Sequence, residues 1–274
     1  NKKIPLILIN ARITKKSFKK WLKLRAFSKS IFNKITVAYP QNKETKKYLK
    51  ELKVNNIKDV GNLKIIENTK DKQDNIGNKL NIQFKKYKTW VAASTHDGEE
   101  IFCAKAHIEL KKKNKNLITI IIPRHIHRVQ DIISQLQNLN LKVVTHSSKI
   151  KTLKNVDIYV VDTFGDSQKF FKISNTVLMG KFLVVKGSQN PLEAVRYGAK
   201  ILHGPNYNNF KDIFKLLKSL KVSEKITTIK QLVTAITFKK DLRRSFKIKK
   251  IGILILKKTL KELEIYINNE PKKT

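Results

Sequence analysis

Four short polar stretches carry the residue types from which an anion-handling site can be made: ASTHDGEE at 93–100, PRHIHR at 123–128, DTFGD at 162–166 and KGSQNPLE at 186–193. In the first, Ser94, Thr95 and Gly98 offer hydroxyls and backbone N–H groups ahead of a helix, where orphan amides favour an anion. A plain cap formed by Thr95 or Asp97 is the competing explanation. In the second, Pro123 fixes its own φ and stiffens the turn that presents Arg124. A charge-assisted bond from that guanidinium to a phosphate contributes about 1.5–3 kcal/mol; the alternative is a surface ion pair. In the third, Phe164-Gly165-Asp166 permits close backbone approach at Gly165, or is a turn in which Asp166 caps the next helix. In the fourth, Asn190, Pro191 and Glu193 fit N-cap, first and third helical positions. That helix mouth also carries orphan N–H groups and the positive dipole end.

The elements that must position these stretches are legible as apolar runs. Strands are predicted at 90–93, 117–122, 142–145, 158–161, 176–179 and 200–203. Helices are predicted between and after them at 99–112, 126–139, 167–173, 191–197, 210–220 and 225–238. Such alternation denotes βαβ units and a parallel sheet. Ligands of open α/β sheets bind beyond the carboxyl ends of the strands. Three of the stretches follow predicted strands there, and the fourth follows the apolar run 182–185. A shorter series precedes them: a strand at 4–9, a basic amphipathic helix at 15–32, a strand at 35–38, a helix at 42–52 and a short strand near Val60. The polar, weakly periodic segment 67–88 suits a linker. The chain therefore divides into 1–66, the linker 67–88, a main domain at 89–240 and a C-terminal helical segment at 241–274, whose amphipathic part, 251–267, can pack back on another domain.

A hydrophobic content of 41% excludes wholesale disorder. The formal charge of +38 points to nucleic acid, an anionic membrane or a phosphorylated substrate. Only seven of the 59 basic residues are Arg, the residue that phosphate and base readers favour. Cys103 is the single cysteine, which makes no internal disulfide and fits a reducing compartment. His125 and His127 would share a face of a strand, but no third ligand lies nearby and no metal site is read. No apolar run reaches the roughly 18 residues of a membrane span, and the N-terminus has no signal-peptide pattern. The chain starts at Asn1 directly on a strand-like run and its sole methionine is Met179, so it reads as a fragment lacking its front portion.

The motifs INARIT with Ser17, GNLK at 61–64, AASTHDGEE, IIPRH, VDTFGD and NPLE…GP, in this order, resemble the 3-deoxy-D-manno-octulosonic acid (Kdo) transferases of lipopolysaccharide biosynthesis. The resemblance runs from about Ile4 to near the C-terminus. It implies an α/β fold of GT-B type with two Rossmann-like lobes, the first incomplete here. It implies transfer of Kdo from CMP-Kdo to a lipid A precursor at the cytoplasmic face of the bacterial inner membrane. By the same resemblance Pro123, Arg124, Phe164, Gly165, Asp166, Asn190, Pro191, Leu192 and Glu193 match CMP-contacting segments, and Ser94 and Thr95 a donor-side loop. Lys64 matches a lysine that stabilises transition-state charge. The general base is expected upstream of Asn1, and a separate N-terminal half is a partner that the resemblance allows. No cofactor or metal is implied, CMP-Kdo being the donor substrate, and no nucleic acid is expected as a partner.

Two departures stand out. The family has a glycine-rich GGS where this chain has Gly180-Lys181-Phe182, and GGHN where it has Gly187-Ser188-Gln189-Asn190. The rival functions are a non-catalytic basic protein that binds nucleic acid or anionic lipid, and a GT-B enzyme using another nucleotide sugar.

Overall fold

The computed structural model describes residues 4–66, 76–183, 189–207, 210–239 and 241–267. They form two compact units, one lying within residues 1–67 and 249–274 and the other within 68–248.

The first unit begins with β1 (Ile7–Ala11), α1 (Lys15–Lys23), α2 (Arg25–Phe32), β2 (Val37–Pro40) and α3 (Lys43–Glu51). β1 and β2 pair in parallel, and Ile57 adds an isolated bridge to Ala38. The single helix expected at 15–32 is two helices, because Leu24 leaves the helical region at φ −111°, ψ 52°. No strand forms at Val60; it is buried instead beside Val37 and Tyr39. Caps account for two helix starts: Thr14 accepts from the Ser17 N–H and Asn42 from the Thr45 N–H. Phe18 stacks on Tyr48 with ring centroids 4.1 Å apart, at the centre of a core that includes Phe32, Leu49 and Val54.

The second unit contains α4 (Asn78–Phe84), β3 (Lys88–Thr95), α5 (Glu99–Lys111), β4 (Leu117–Pro123), α6 (Val129–Gln137), β5 (Val143–Thr145), β6 (Ile158–Val160), α7 (Ser167–Ile173), β7 (Thr176–Met179), α8 (Leu192–Arg196), β8 (Lys200–His203), α9 (Lys211–Ser219), β9 (Ser223–Lys225) and α10 (Ile229–Ala235). Seven strands make one parallel sheet in the order β5-β6-β4-β3-β7-β8-β9. β4 is buried at every position, as a strand covered on both faces must be. The chain leaves β3 toward β4 on one side and returns to β7 on the other. That reversal creates the switch-point crevice at the carboxyl ends of β3, β4 and β7.

Three sequence expectations change here. Residues 76–88 are part of this unit rather than linker: Phe84 packs on Tyr159 and Phe170, and the Gln83 side chain bonds both Lys151 and Leu153. Residues 67–75 lie outside the described residues. The helix expected at 225–238 is shorter, because 223–225 pair as β9 and Thr228 caps α10 through the Gln231 N–H. Of the strand-like run 182–185, Phe182 and Leu183 are not in a strand and the rest lies outside the described residues.

The last helix, α11 (Arg243–Ile267), crosses the boundary between the units. From Lys249 onward it belongs to the first unit, where Glu262 pairs with Lys58 at 2.6 Å and the Asn56 amide donates to the Tyr266 hydroxyl.

Candidate functional site

The switch-point crevice is built by a bulge and a buried carboxylate. At the end of β3, Ser94 adopts φ 56°, and the register against β4 slips between Ala93 and Thr95. Gly180, just past β7, closes against this bulge: its N–H donates to the Ala93 carbonyl at 2.7 Å. A Cβ on Gly180 would lie 2.1 Å from the Ser94 oxygen, so only glycine fits. Glu99, fully buried at the start of α5, then ties the two loops together. Its carboxylate accepts the N–H groups of His96 (2.9 Å), Lys181 (2.8 Å), Phe182 (2.5 Å) and Leu183 (3.0 Å). Burial raises the Glu99 pKa, and these bonds act in the opposite direction.

A second layer holds the loop after β4. Glu100, buried, accepts from the Thr95 hydroxyl at 2.8 Å and from Arg128 Nη1 at 3.1 Å, while Arg128 Nη2 reaches Asp97 at 2.9 Å. Thr95 is therefore turned inward. Its hydroxyl is taken by Glu100, contrary to the expectation that it faces a ligand; Ser94 is part-exposed. Neither Thr95 nor Asp97 caps α5.

Pro123 is buried as the last residue of β4, and the Arg124 N–H donates to the Thr95 carbonyl at 3.0 Å. Among the described residues the Arg124 guanidinium has no hydrogen-bond or ionic partner, so the surface-pair alternative does not hold. It lines a recess of about 500 Å³ with His125, Ile126, His127 and Phe164. Phe164 is 86% exposed, and Gly165 has φ 84° with nothing within 4 Å of an added Cβ. The alternative in which the Asp166 side chain caps α7 also fails. That carboxylate is engaged by the Thr163 hydroxyl, by Lys169 at 2.7 Å and by His146 at 3.7 Å. Part-burial acts to raise its pKa but is outweighed by the Lys169 and Thr163 bonds, so the net shift is downward.

Asn190 accepts from the Leu192 N–H at 3.2 Å, but α8 starts at Leu192 with Pro191 as its N-cap, one residue later than expected. The reciprocal half of the capping box is missing: Glu193 is part-exposed and has no partner among the described residues. Leu192 is fully buried, so its side chain packs the helix rather than meeting a ligand. Gln189 joins this helix mouth to the other loops, its amide nitrogen 3.5 Å from His96 Nε2. The His96 ring in turn lies 5.7 Å from that of His125.

Lys64 belongs to the other unit. Gly61 takes φ 102°, and a Cβ there would meet Ile255 at 2.9 Å. The Asn62 side chain caps the 3-10 turn Leu63–Ile65 through the Lys64 N–H, and Asn10 Oδ1 accepts from Leu63. The GNLK and INARIT motifs thus form one structure that presents Lys64 on an exposed side chain.

Sequence reasoning missed His96, Glu99 and Arg128 as parts of the site. Among the described residues no group of three or more His, Cys, Asp or Glu is set to hold a metal ion. None of the described helices is long and apolar enough to cross a membrane.

The sheet of the second unit has a counterpart of known structure. The C-terminal CMP-Kdo binding domain of WaaA from Acinetobacter baumannii superposes with a TM-score of 0.53 at 22% identity, over 64% of this chain and 91% of that one. The second unit therefore has the fold of that domain, a parallel α/β sheet. Residues 1–66 match the family model described as 3-deoxy-D-manno-octulosonic-acid transferase. Two similar relatives are the 3-deoxy-D-manno-octulosonic acid transferases of Rickettsia felis and Haemophilus influenzae. The first is 29% identical over 85% of this chain and 50% of its own length. The second is 27% identical over 88% of this chain and 58% of its own length. Over most of its length this chain is similar to Kdo transferases, and its first 66 residues match the model of that family. It spans about half the length of the curated relatives it matches.

Proposed function

We propose that the second unit binds CMP-Kdo at the switch-point crevice and that the protein takes part in transfer of Kdo to a lipid A precursor, with inversion, at the cytoplasmic face of the inner membrane. The observation that carries this reading is the exposed Arg124 guanidinium, unpartnered among the described residues, in a recess it shares with Phe164. An anionic ligand supplies the partner this cation lacks. Phe164 gives the recess an apolar wall, and Gly165 leaves its backbone open to close approach. At the mouth of α8, Asn190 uses its side chain on the Leu192 N–H, and the Glu193 carboxylate is left to accept from ligand hydroxyls.

Breaking the bond between CMP and an anionic keto sugar builds negative charge on the leaving phosphate. Arg124 would stabilise that charge by a preorganised electrostatic contact. Lys64 has the same role in this reading, acting late in the reaction. The lipid acceptor fits a second feature. The first acidic residue of the chain is Glu44, and nine Lys and Arg residues fall between Arg12 and Lys34, which suits docking to an anionic membrane surface.

Titration calorimetry with CMP tests the donor site. Arg124→Ala should weaken CMP by about 1.5–3 kcal/mol, roughly 10- to 100-fold. Equal affinity in the two proteins removes Arg124 from the site. AMP competing as well as CMP would favour a different nucleotide sugar.

A further inference from the structure

The chain has six histidines, and five of them lie at or just past the carboxyl ends of strands: His96, His125, His127, His146 and His203. Two of these five have close polar contacts with the protein, and a third, His96, has among the described residues only the 3.5 Å contact with the Gln189 amide. His146 Nδ1 meets the Tyr159 hydroxyl at 2.8 Å, and His203 Nδ1 meets the Gly204 carbonyl at 2.7 Å. The other three are linked through His125. The rings of His96 and His125 are 5.7 Å apart and edge-on, and those of His125 and His127 are 5.6 Å apart. His125 and His127 line the recess that holds Arg124. Among the described residues neither ring has a hydrogen-bond or ionic partner.

The charged groups around the cluster leave it uncompensated. His96 faces Lys181, His125, Glu100 and Arg128. Glu100 is committed to Arg128 and Thr95, Asp97 is bound to Arg128, and Glu99 is sealed behind four backbone N–H groups. His125 faces the other two imidazoles, with Arg124 in the same recess. Three imidazoles and a guanidinium therefore meet with no free carboxylate among these neighbours.

We propose that His96, His125 and His127 form, beside Arg124, an oxyanion subsite that takes up a proton when its ligand binds. An anion seated among these rings raises the affinity of the imidazoles for protons. Burial, followed by Lys181 and His125, holds the His96 pKa below its usual value, which leaves that ring neutral and ready to be charged. By linkage, a ligand that binds with proton uptake binds more tightly as pH falls and less tightly as it rises. The inference rests on the donor reading, in which a nucleotide phosphate and a sugar carboxylate are the two oxyanions on offer.

The test is calorimetry on the full chain between pH 6 and 8, in pairs of buffers that differ in ionisation enthalpy. The probes are CMP, free Kdo in the presence of CMP, and inorganic pyrophosphate. Wild type is compared with the exposed double variant His125→Asn/His127→Asn, whose subtraction cancels the ligand's own titration. Wild type should take up more protons than the variant. Its affinity should also rise more steeply on acidification, by roughly tenfold per pH unit at most for each proton. An excess seen with CMP assigns the phosphate; an excess seen only with Kdo assigns the carboxylate. Equal uptake by both proteins while CMP binds overturns the subsite and leaves the donor reading intact. No CMP binding, but pyrophosphate binding with an excess that the variant lacks, keeps the subsite and overturns the donor reading. Failure of every probe to bind overturns both.

Discussion

Lys181 has φ 68°, a left-handed backbone angle that costs a residue with a Cβ about 1–2 kcal/mol. Its N–H is one of the four that Glu99 holds, and its charge faces His96. Glycine adopts such an angle without a steric cost, and lysine occupies it here. Lys181→Gly should therefore relieve strain, offset in part by the greater freedom of glycine in the unfolded chain. The net expectation is a gain of up to about 1 kcal/mol, read as a higher midpoint in urea unfolding at unchanged slope. A loss of stability would mean that the lysine side chain contributes more than its backbone strain costs. Glu99 explains why the strain persists. Its carboxylate over-determines residues 181–183, so a local preference for another angle is overridden.

Asp157 does for the elements what Glu99 does for the loops. It stands just before β6, takes Lys111 of α5, lies 3.5 Å from His107 Nε2 and accepts the Lys142 N–H at the start of β5. Part-burial acts to raise its pKa, but the nearby His107 ring and the bonds from Lys111 and Lys142 prevail and hold it well below the usual carboxylate range. A depressed pKa in the folded state contributes stability above the unfolded value near 4, and that contribution is lost as pH falls through the folded value. Asp157→Asn should cost about 1–3 kcal/mol at pH 7, and the difference from wild type should shrink below about pH 4. Urea titrations at pH 7 and pH 3 measure both; a difference that is independent of pH would discard the ionic account. Strands such as β4 were legible because burial on both faces demands an uninterrupted apolar run. β9 and α4 were not, since SEK and NKLNIQF are mostly polar and are held by tertiary contacts. Arg124 could be read as a rare arginine after a proline at a strand end. Glu99 could not, because three of its partners are backbone amides 82 to 84 residues away, and amides leave no mark in side-chain pattern.

Net charge of +38 sets how the molecule as a whole meets its surroundings, but charge alone does not separate a membrane from nucleic acid. The distribution of apolar exposure supplies a test of the membrane reading. On α2 and the residue before it, Leu24 and Phe27 are each 58% exposed and Ile31 is 36% exposed, at the spacing of one helical face. Lys20, Lys23, Arg25 and Lys29 surround that ridge, and Trp21 stacks with Phe27. An apolar ridge within a cationic surround, on helices with no acidic residue, is the composition of an interfacial segment. Nucleic acid would use the lysines and leave the ridge in water. Co-sedimentation with vesicles of phosphatidylglycerol and phosphatidylethanolamine should therefore exceed that with phosphatidylcholine, and should weaken between 50 and roughly 500 mM salt as screening shortens the reach of the charges. The double substitution Leu24→Ser/Phe27→Ser should lower vesicle partitioning about tenfold or more, since each half-exposed side chain buries on the order of 1 kcal/mol of apolar surface in the interface. Binding of the same variant to duplex DNA should be unchanged. Vesicle binding that is insensitive to the double substitution would assign membrane contact to charge alone and remove α2 from it.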